Sequence, residues 1–185
     1  MLGLKHLVRY LSKTRRATLL FPVSGASVLI GSSDSSWGNT NTPHGTSGNV
    51  FLVGGTPIAW WSKKQSSVAQ STCEAEYEAL RHFVVAARWI KPLFEEIFSV
   101  ESAPIVTQLD NTAALLTATT DKVNARNRHF LMRLETVREA VKSGVFKPVY
   151  TPSDDVIADG LTKSLSFSKH AAFAKLLSLD LGVRI

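Results

Sequence analysis

Gly48-Asn49-Val50-Phe51-Leu52-Val53-Gly54-Gly55-Thr56-Pro57-Ile58-Ala59-Trp60-Trp61 decides the fold. Two apolar runs, rich in β-branched and aromatic residues, flank a glycine pair. Glycine reaches positive φ at little steric cost, so the pair reads as a tight turn between antiparallel strands over 48–53 and 57–61. Toward the N-terminus, a polar stretch over 35–45 carries turn signals at Gly38, Asn39, Asn41 and Pro43. Ahead of it, residues 27–33 form a β-branched and aliphatic strand that ends at Asp34. Three consecutive strands joined this way predict an antiparallel meander.

Toward the C-terminus the periodicity changes from 2 to 3.6. Leu80, Phe83, Ala87, Ile90, Phe94 and Ile97 repeat at helical spacing and predict a core-facing helix over 70–98, with Pro92 marking a bend. A short strand over 104–109 leads to Asp110, and helices follow over 111–118 and 126–143, the second closed by Gly144. A last strand spans 145–150. Ser153 opens a further helix, with Asp154 and Asp155 in its first turn, and the tail over 167–179 reads as helical. An amphipathic helix over 2–14 precedes everything, with Leu4, Leu7, Val8 and Leu11 on one stripe. A meander extended by two strand–helix units predicts an α/β domain: a five-stranded mixed sheet, three strands antiparallel and then two parallel, with helices on both faces.

The composition is that of a folded domain, with 44% hydrophobic and 19% charged residues. No apolar run is long enough to cross a bilayer, so no membrane partner is expected. The net charge is +6, which favours a polyanionic partner. Lys5, Arg9, Lys13, Arg15 and Arg16 all precede the first acid, Asp34. A second basic cluster holds Lys122, Arg126, Arg128, Arg133, Arg138, Lys142 and Lys147. A solvated basic face accounts for such charge equally well. The single cysteine, Cys73, excludes an intrachain disulfide and a zinc-finger site. Walker, G-x-S-x-G and H-E-x-x-H patterns are absent.

Four acids sit where α/β folds place chemistry. Asp34 and Asp110 end strands, Glu76 lies near the start of the long helix, and Asp159 lies one turn into the helix after the last strand. Taken singly, Asp34 reads as a turn residue, Asp110 as a helix cap and Asp159 as a surface acid. Glu76 stands four residues before Leu80, on the buried stripe. Glu74 and Glu78 share the polar side with Arg81 and Arg88. A carboxylate aimed at a core needs a compensating cation or hydrogen bonds, which favours Glu76 as the functional acid. Carboxylates brought together raise one another's pKa unless cations neutralise them, and Mg²⁺ prefers oxygen ligands. Two such ions about 4 Å apart can activate water and steady the leaving oxygen of a phosphodiester.

In order along the chain stand Asp34 with Trp37, Ser47-Gly48, and Trp60-Trp61-Ser62-Lys63-Lys64-Gln65. Then come Ser71-Thr72-Cys73-Glu74-Ala75-Glu76-Tyr77-Glu78-Ala79 and Asp110-Asn111-Thr112-Ala113-Ala114. Arg126-Asn127-Arg128-His129-Phe130, Arg138-Glu139-Ala140-Val141-Lys142-Ser143-Gly144 and Ala158-Asp159-Gly160-Leu161-Thr162-Lys163 complete the set. This ordered set resembles the ribonuclease H domain of copia-type LTR retrotransposon Pol polyproteins. Each motif alone is weak; the ordered series is specific. The stretch 4–19 is similar to the connection that precedes this domain in such polyproteins. That resemblance implies a division into a connection segment over 1–24 and a ribonuclease H domain over 25–185. It also accounts for the amphipathic start better than a mitochondrial presequence does.

The resemblance implies a ribonuclease H-like fold and hydrolysis of the RNA strand of RNA–DNA hybrids during reverse transcription. Two Mg²⁺ ions, replaceable by Mn²⁺, would serve as cofactors. Asp34, Glu76, Asp110 and Asp159 match the family's metal-binding acids. Ser71 and Thr72 match positions that touch the minor groove, where a 2′-OH distinguishes RNA from DNA. Asn111, Arg126, Arg128, His129 and Arg133 become candidates for nucleic-acid contact, the basic ones to phosphate. The polymerase part of the same polyprotein is the implied partner. A cytoplasmic virus-like particle or the nucleus is the implied location. The sequence departs from the family where Ser36 replaces a second acid, where Pro43-His44-Gly45 replaces a basic pair, and where Tyr150-Thr151-Pro152 replaces the histidine loop of cellular enzymes. The alternatives are a domesticated or inactive module that binds nucleic acid or a protein without cutting, and a duplex-DNA nuclease on the same fold. The presence of all four acids favours the hybrid nuclease.

Overall fold

The structure is a computed structural model that describes residues 2–21, 28–38, 42–120 and 131–181, with residues 2 and 131–133 described by backbone alone. Its elements are α1 (Leu2–Thr14), β1 (Thr18–Leu19), β2 (Leu29–Ser36), β3 (Thr46–Val53), β4 (Thr56–Lys64), α2 (Thr72–Phe98), β5 (Ile105–Leu109) and α3 (Thr112–Thr119). They continue with α4 (Leu131–Lys142), β6 (Phe146–Tyr150), α5 (Asp159–Thr162), α6 (Phe167–Leu176) and β7 (Leu179–Asp180). The main sheet has the order β4-β3-β2-β5-β6. The first three strands pair antiparallel, and β2–β5 and β5–β6 pair parallel. Gly54 and Gly55 take φ of 58° and 83°, the left-handed pair that a two-residue hairpin turn demands.

Strand alternation divides the sheet into two faces. Leu29 and Phe51 pack with Leu80, Phe83, Leu109, Leu134 and Phe146 under α2, α3 and α4. The Phe51 and Phe83 rings stack with centroids 4.4 Å apart. Val50 and Leu52, one residue out of phase, face Ile157 with Leu161, Phe173 and Leu177 on the opposite side. Helices therefore cover both faces, as the order of elements predicts. Arg138, a member of the basic cluster seen in the sequence, is only 2% exposed. It donates to the Thr117 carbonyl at 3.1 Å and to Glu135 at 3.0 Å, tying α4 to the end of α3.

Several boundaries differ from the sequence expectation. β2 continues past residue 33 because its pairing with β3 runs on to Ser36↔Thr46, so Asp34 lies inside the strand. Ser71 caps α2, and the helix runs unbroken through Pro92, with Ile90 and Phe94 on either side of it still buried. Ile97 is exposed although it fits the apolar stripe. Ser153 starts only a three-residue 3₁₀ turn (Ser153–Asp155), which stops where Val156 turns to extended backbone, so α5 is a separate four-residue helix. The tail helix stops at Leu176 because Ser178 takes a left-handed φ of 50°. The chain then pairs β7 with β1. Residues 126–130 of the expected α4 lie outside the described residues.

Candidate active site

The parallel pairing of β2 with β5 ends at Ser32↔Gln108. Two residues further on stand Asp34 and Asp110, where the two chains leave their ladder. Asp34 shares a face with Ser32, whose Oγ accepts a 3.0 Å bond from the Ala158 amide. That bond anchors the entry to α5 across 126 residues of sequence and sets Asp159, the first residue of α5, beside Asp34. One carboxylate oxygen from each of Asp34, Asp110 and Asp159 lies within 4.8 Å of the others. Asp34 is buried, and the other two are half-buried.

Hydrogen bonds orient the three. Thr162, one turn along α5, donates to Asp34. Ser153 donates to Asp110 at 2.7 Å instead of capping a helix. Lys163 pairs with Asp159. Burial raises the Asp34 pKa above the ordinary range; Thr162 and Lys163 oppose that rise, while Asp110 and Asp159 add to it. Burial works against the Lys163 ammonium, but pairing with Asp159 and the charge of Asp34 outweigh it and hold its pKa above that of an ordinary lysine.

Glu76, on α2, is buried beside this group but is not one of the three within 4.8 Å. Burial, then the charges of Asp34 and Asp110, push its pKa well above the carboxylate range. Ser35 faces Glu76 and opposes that rise, although the buried Ser35 hydroxyl closes no full hydrogen bond. Glu74 and Glu78, assigned to a polar side by helical spacing, are also buried. Each has a local use: Glu74 accepts from the Gln70 amide at 2.8 Å, and Glu78 pairs with Arg81 at 2.9 Å. Direction around the helix separates Glu76 from them; burial does not.

Of the remaining candidates, the described side chains are Ser71, Thr72 and Asn111. Ser71 accepts from the Glu74 amide at 3.1 Å, and Thr72 beside it is exposed, so both stand at the open start of α2. Asn111, next to Asp110, accepts from the Ala114 amide at 2.9 Å and caps α3. Arg126, Arg128 and His129 lie outside the described residues; Arg133 lies in α4, its side chain undescribed. Sequence reading assigned no role to Thr162, Lys163 or Gly48. The signal for the first two was present, because positions three and four after Asp159 share its helix face. The signal for Gly48 was its place opposite Asp34 in the β2–β3 register, which only the paired strands reveal.

An all-oxygen set of three converging carboxylates, one of them buried, fits a hard divalent cation such as Mg²⁺. It offers no nitrogen or sulfur ligand of the kind zinc prefers.

No protein-family model matches the chain. The retrovirus-related Pol polyprotein from transposon RE2 of Arabidopsis thaliana is 32% identical over 165 residues, covering 89% of this chain and 11% of the relative. The corresponding polyprotein from transposon RE1 of the same plant is 30% identical over 178 residues, covering 96% of this chain and 12% of the relative. The chain thus spans about a tenth of the length of these relatives. Among solved structures, the N-terminal RNase H domain of Rv2228c from Mycobacterium tuberculosis superposes with a TM-score of 0.53 at 14% identity, covering 81% of this chain and 98% of that one. LC11-RNase H1, solved with an RNA/DNA hybrid, gives 0.52 at 14% identity, covering 72% and 93%. Relatedness along nearly the whole chain, joined to a ribonuclease H-like fold, makes this chain homologous to a segment of the copia-type retrotransposon Pol polyproteins.

Proposed function

We propose that this domain hydrolyses the RNA strand of RNA–DNA hybrids, as the nuclease part of retrotransposon reverse transcription. The observation that carries the proposal is the meeting of Asp34, Asp110 and Asp159 within 4.8 Å, with Glu76 buried beside them. Two divalent ions bound there would supply an activated water and a charge clamp on the leaving oxygen. Asp34, Asp110 and Asp159 would hold them, and Glu76 would complete the set from α2. Thr162 and Ser153 keep two of the carboxylates aimed inward before any ion arrives. Ser71 and Thr72 would meet the minor groove, where hydrogen bonding to a 2′-OH selects the RNA strand. Arg126, Arg128, His129 and Arg133 would hold phosphates, and Asn111 would approach the substrate from beside Asp110. The solved neighbour that carries an RNA/DNA hybrid supports the substrate class.

The N-terminal segment supports a polymerase partner. Leu4, Leu7, Val8 and Leu11 of α1 are each more than half exposed, an apolar stripe suited to a surface outside this domain. The division at residue 24 and work inside a cytoplasmic particle or the nucleus belong to the same proposal. The test is cleavage of a labelled RNA–DNA hybrid with Mg²⁺ or Mn²⁺. Asp110→Asn should retain hybrid binding and lose cleavage. A wild-type protein that binds the hybrid but leaves it intact would indicate a binding module instead, and one that cuts only duplex DNA would indicate a different nuclease.

A further inference from the structure

We propose that Lys163 is a resident counterion, its ammonium holding Asp159 in the metal-free protein and competing with a divalent cation for that carboxylate. The inference rests on the metal-site reading above. Three carboxylates gathered within 4.8 Å repel one another, and a fold that keeps them together without metal needs a compensating positive charge. Lys163 supplies it from the residue that ends α5. Thr162, its neighbour in sequence, donates to Asp34. Two consecutive side chains therefore engage two of the three acids.

The arrangement is built to release. The Lys163 side chain is 46% exposed, against 21% for Asp159, so the ammonium can swing into solvent about its four-carbon stem while α5 stays in place. A lysine suits this better than an arginine, because its charge is compact and its stem flexible, with no planar fork to hold two oxygens at once. A half-exposed pair is weak, whereas a divalent ion would draw on three carboxylates together, so the ammonium tunes metal occupancy without blocking it. Coupling is reciprocal: whatever the ammonium adds to the stability of the metal-free state it subtracts from metal affinity.

The experiment is calorimetric titration of the folded wild-type chain with Mn²⁺, beside Lys163→Met and Lys163→Gln, which remove the charge. Both variants should bind Mn²⁺ about two- to fivefold more tightly, the scale of one exposed ion pair. Both should melt earlier than wild type in EDTA, with the gap closing when Mn²⁺ is present. A purely structural lysine would give the opposite sign, weaker binding on removal, and that result or unchanged affinity overturns the proposal. If Lys163→Met does not fold, Lys163→Gln decides. Hybrid cleavage by the wild type is read in parallel. Cleavage without a change of affinity removes this inference and leaves the nuclease standing. Tighter Mn²⁺ binding without wild-type cleavage does the reverse. Absence of Mn²⁺ binding in all three proteins removes both.

Discussion

Adding one methyl group at Gly48 should dislodge α5. Gly48 sits opposite Asp34 in the β2–β3 register. A Cβ there would lie 2.7 Å from Thr162 Cγ2, 2.9 Å from the Ala158 carbonyl oxygen and 2.9 Å from Leu161 Cβ. Carbon atoms rest about 3.5–4.0 Å apart, so the overlap is roughly 1 Å. Two of the three atoms move only with the backbone, and rotating Thr162 would not relieve them. The helix must retreat, taking Asp159, Thr162 and Lys163 with it. Overpacking of this kind costs about 1–3 kcal/mol, and the reduced freedom of the unfolded chain returns about 0.4–1 kcal/mol. A net loss of about 1–2 kcal/mol is expected, a fall of roughly 2–8 °C in Tm for a chain of this size. Activity should suffer more, because a misplacement near 1 Å in a positioned group can cost about 100-fold. The assay is thermal melting together with Mn²⁺-dependent hybrid cleavage for Gly48→Ala. Gly3→Ala is the control, since a Cβ at Gly3 in α1 meets nothing within 4 Å. A Gly48→Ala protein with wild-type Tm and wild-type cleavage would refute the claim that this close approach sets α5.

Three further outcomes are expected. In EDTA, Glu76→Gln should raise the melting midpoint at neutral pH. Burial and the charge of Asp34 hold Glu76 well above its ordinary value of 4.5, so the folded state binds that proton more tightly than the unfolded one. The wild type should therefore lose stability as pH rises from about 4.5 through the folded value, while the variant does not share that loss; a gap that stays flat from about pH 4 to about pH 8 argues against it. Arg138→Ala should cost at least about 2 kcal/mol in urea unfolding, because charged hydrogen bonds to the Thr117 carbonyl and Glu135 are lost from a site that is 2% exposed. A change below about 0.5 kcal/mol would show that neither bond matters. Ser71→Ala should lower stability by about 1 kcal/mol through loss of the α2 cap. If Ser71 also reads the 2′-OH, the ratio of hybrid to DNA-duplex binding should fall, an effect that capping alone does not produce.

Local chemistry was legible in the chain itself. The glycine pair at 54–55, the alternation on either side of it and the helical stripe from Leu80 to Phe94 depend on near neighbours, and the structure keeps all three. So does the order of strands and helices, from which the mixed sheet follows. The placement of Asp34, Glu76, Asp110 and Asp159 near element boundaries was equally visible. Helical spacing singled out Glu76 within its helix, and the ordered motifs suggested the metal-binding role of all four. What only the tertiary structure decided depends on contacts far apart in sequence. The Ser32–Ala158 bond spans 126 residues and brings Asp159 to Asp34, and the Ser153–Asp110 bond spans 43. Helical spacing gave Glu74 and Glu78 to a polar side and charge alone put Arg138 in a basic cluster, because neither direction around one helix nor charge reveals what packs against a side chain; all three are buried. The pairing of β7 with β1 likewise follows from chain reversal at Ser178, since two-residue strands carry no periodicity to read. Periodicity and turn chemistry are properties of consecutive residues and are written in the chain; the meeting of three acids is a property of the assembled sheet and exists only once distant strands and α5 have packed.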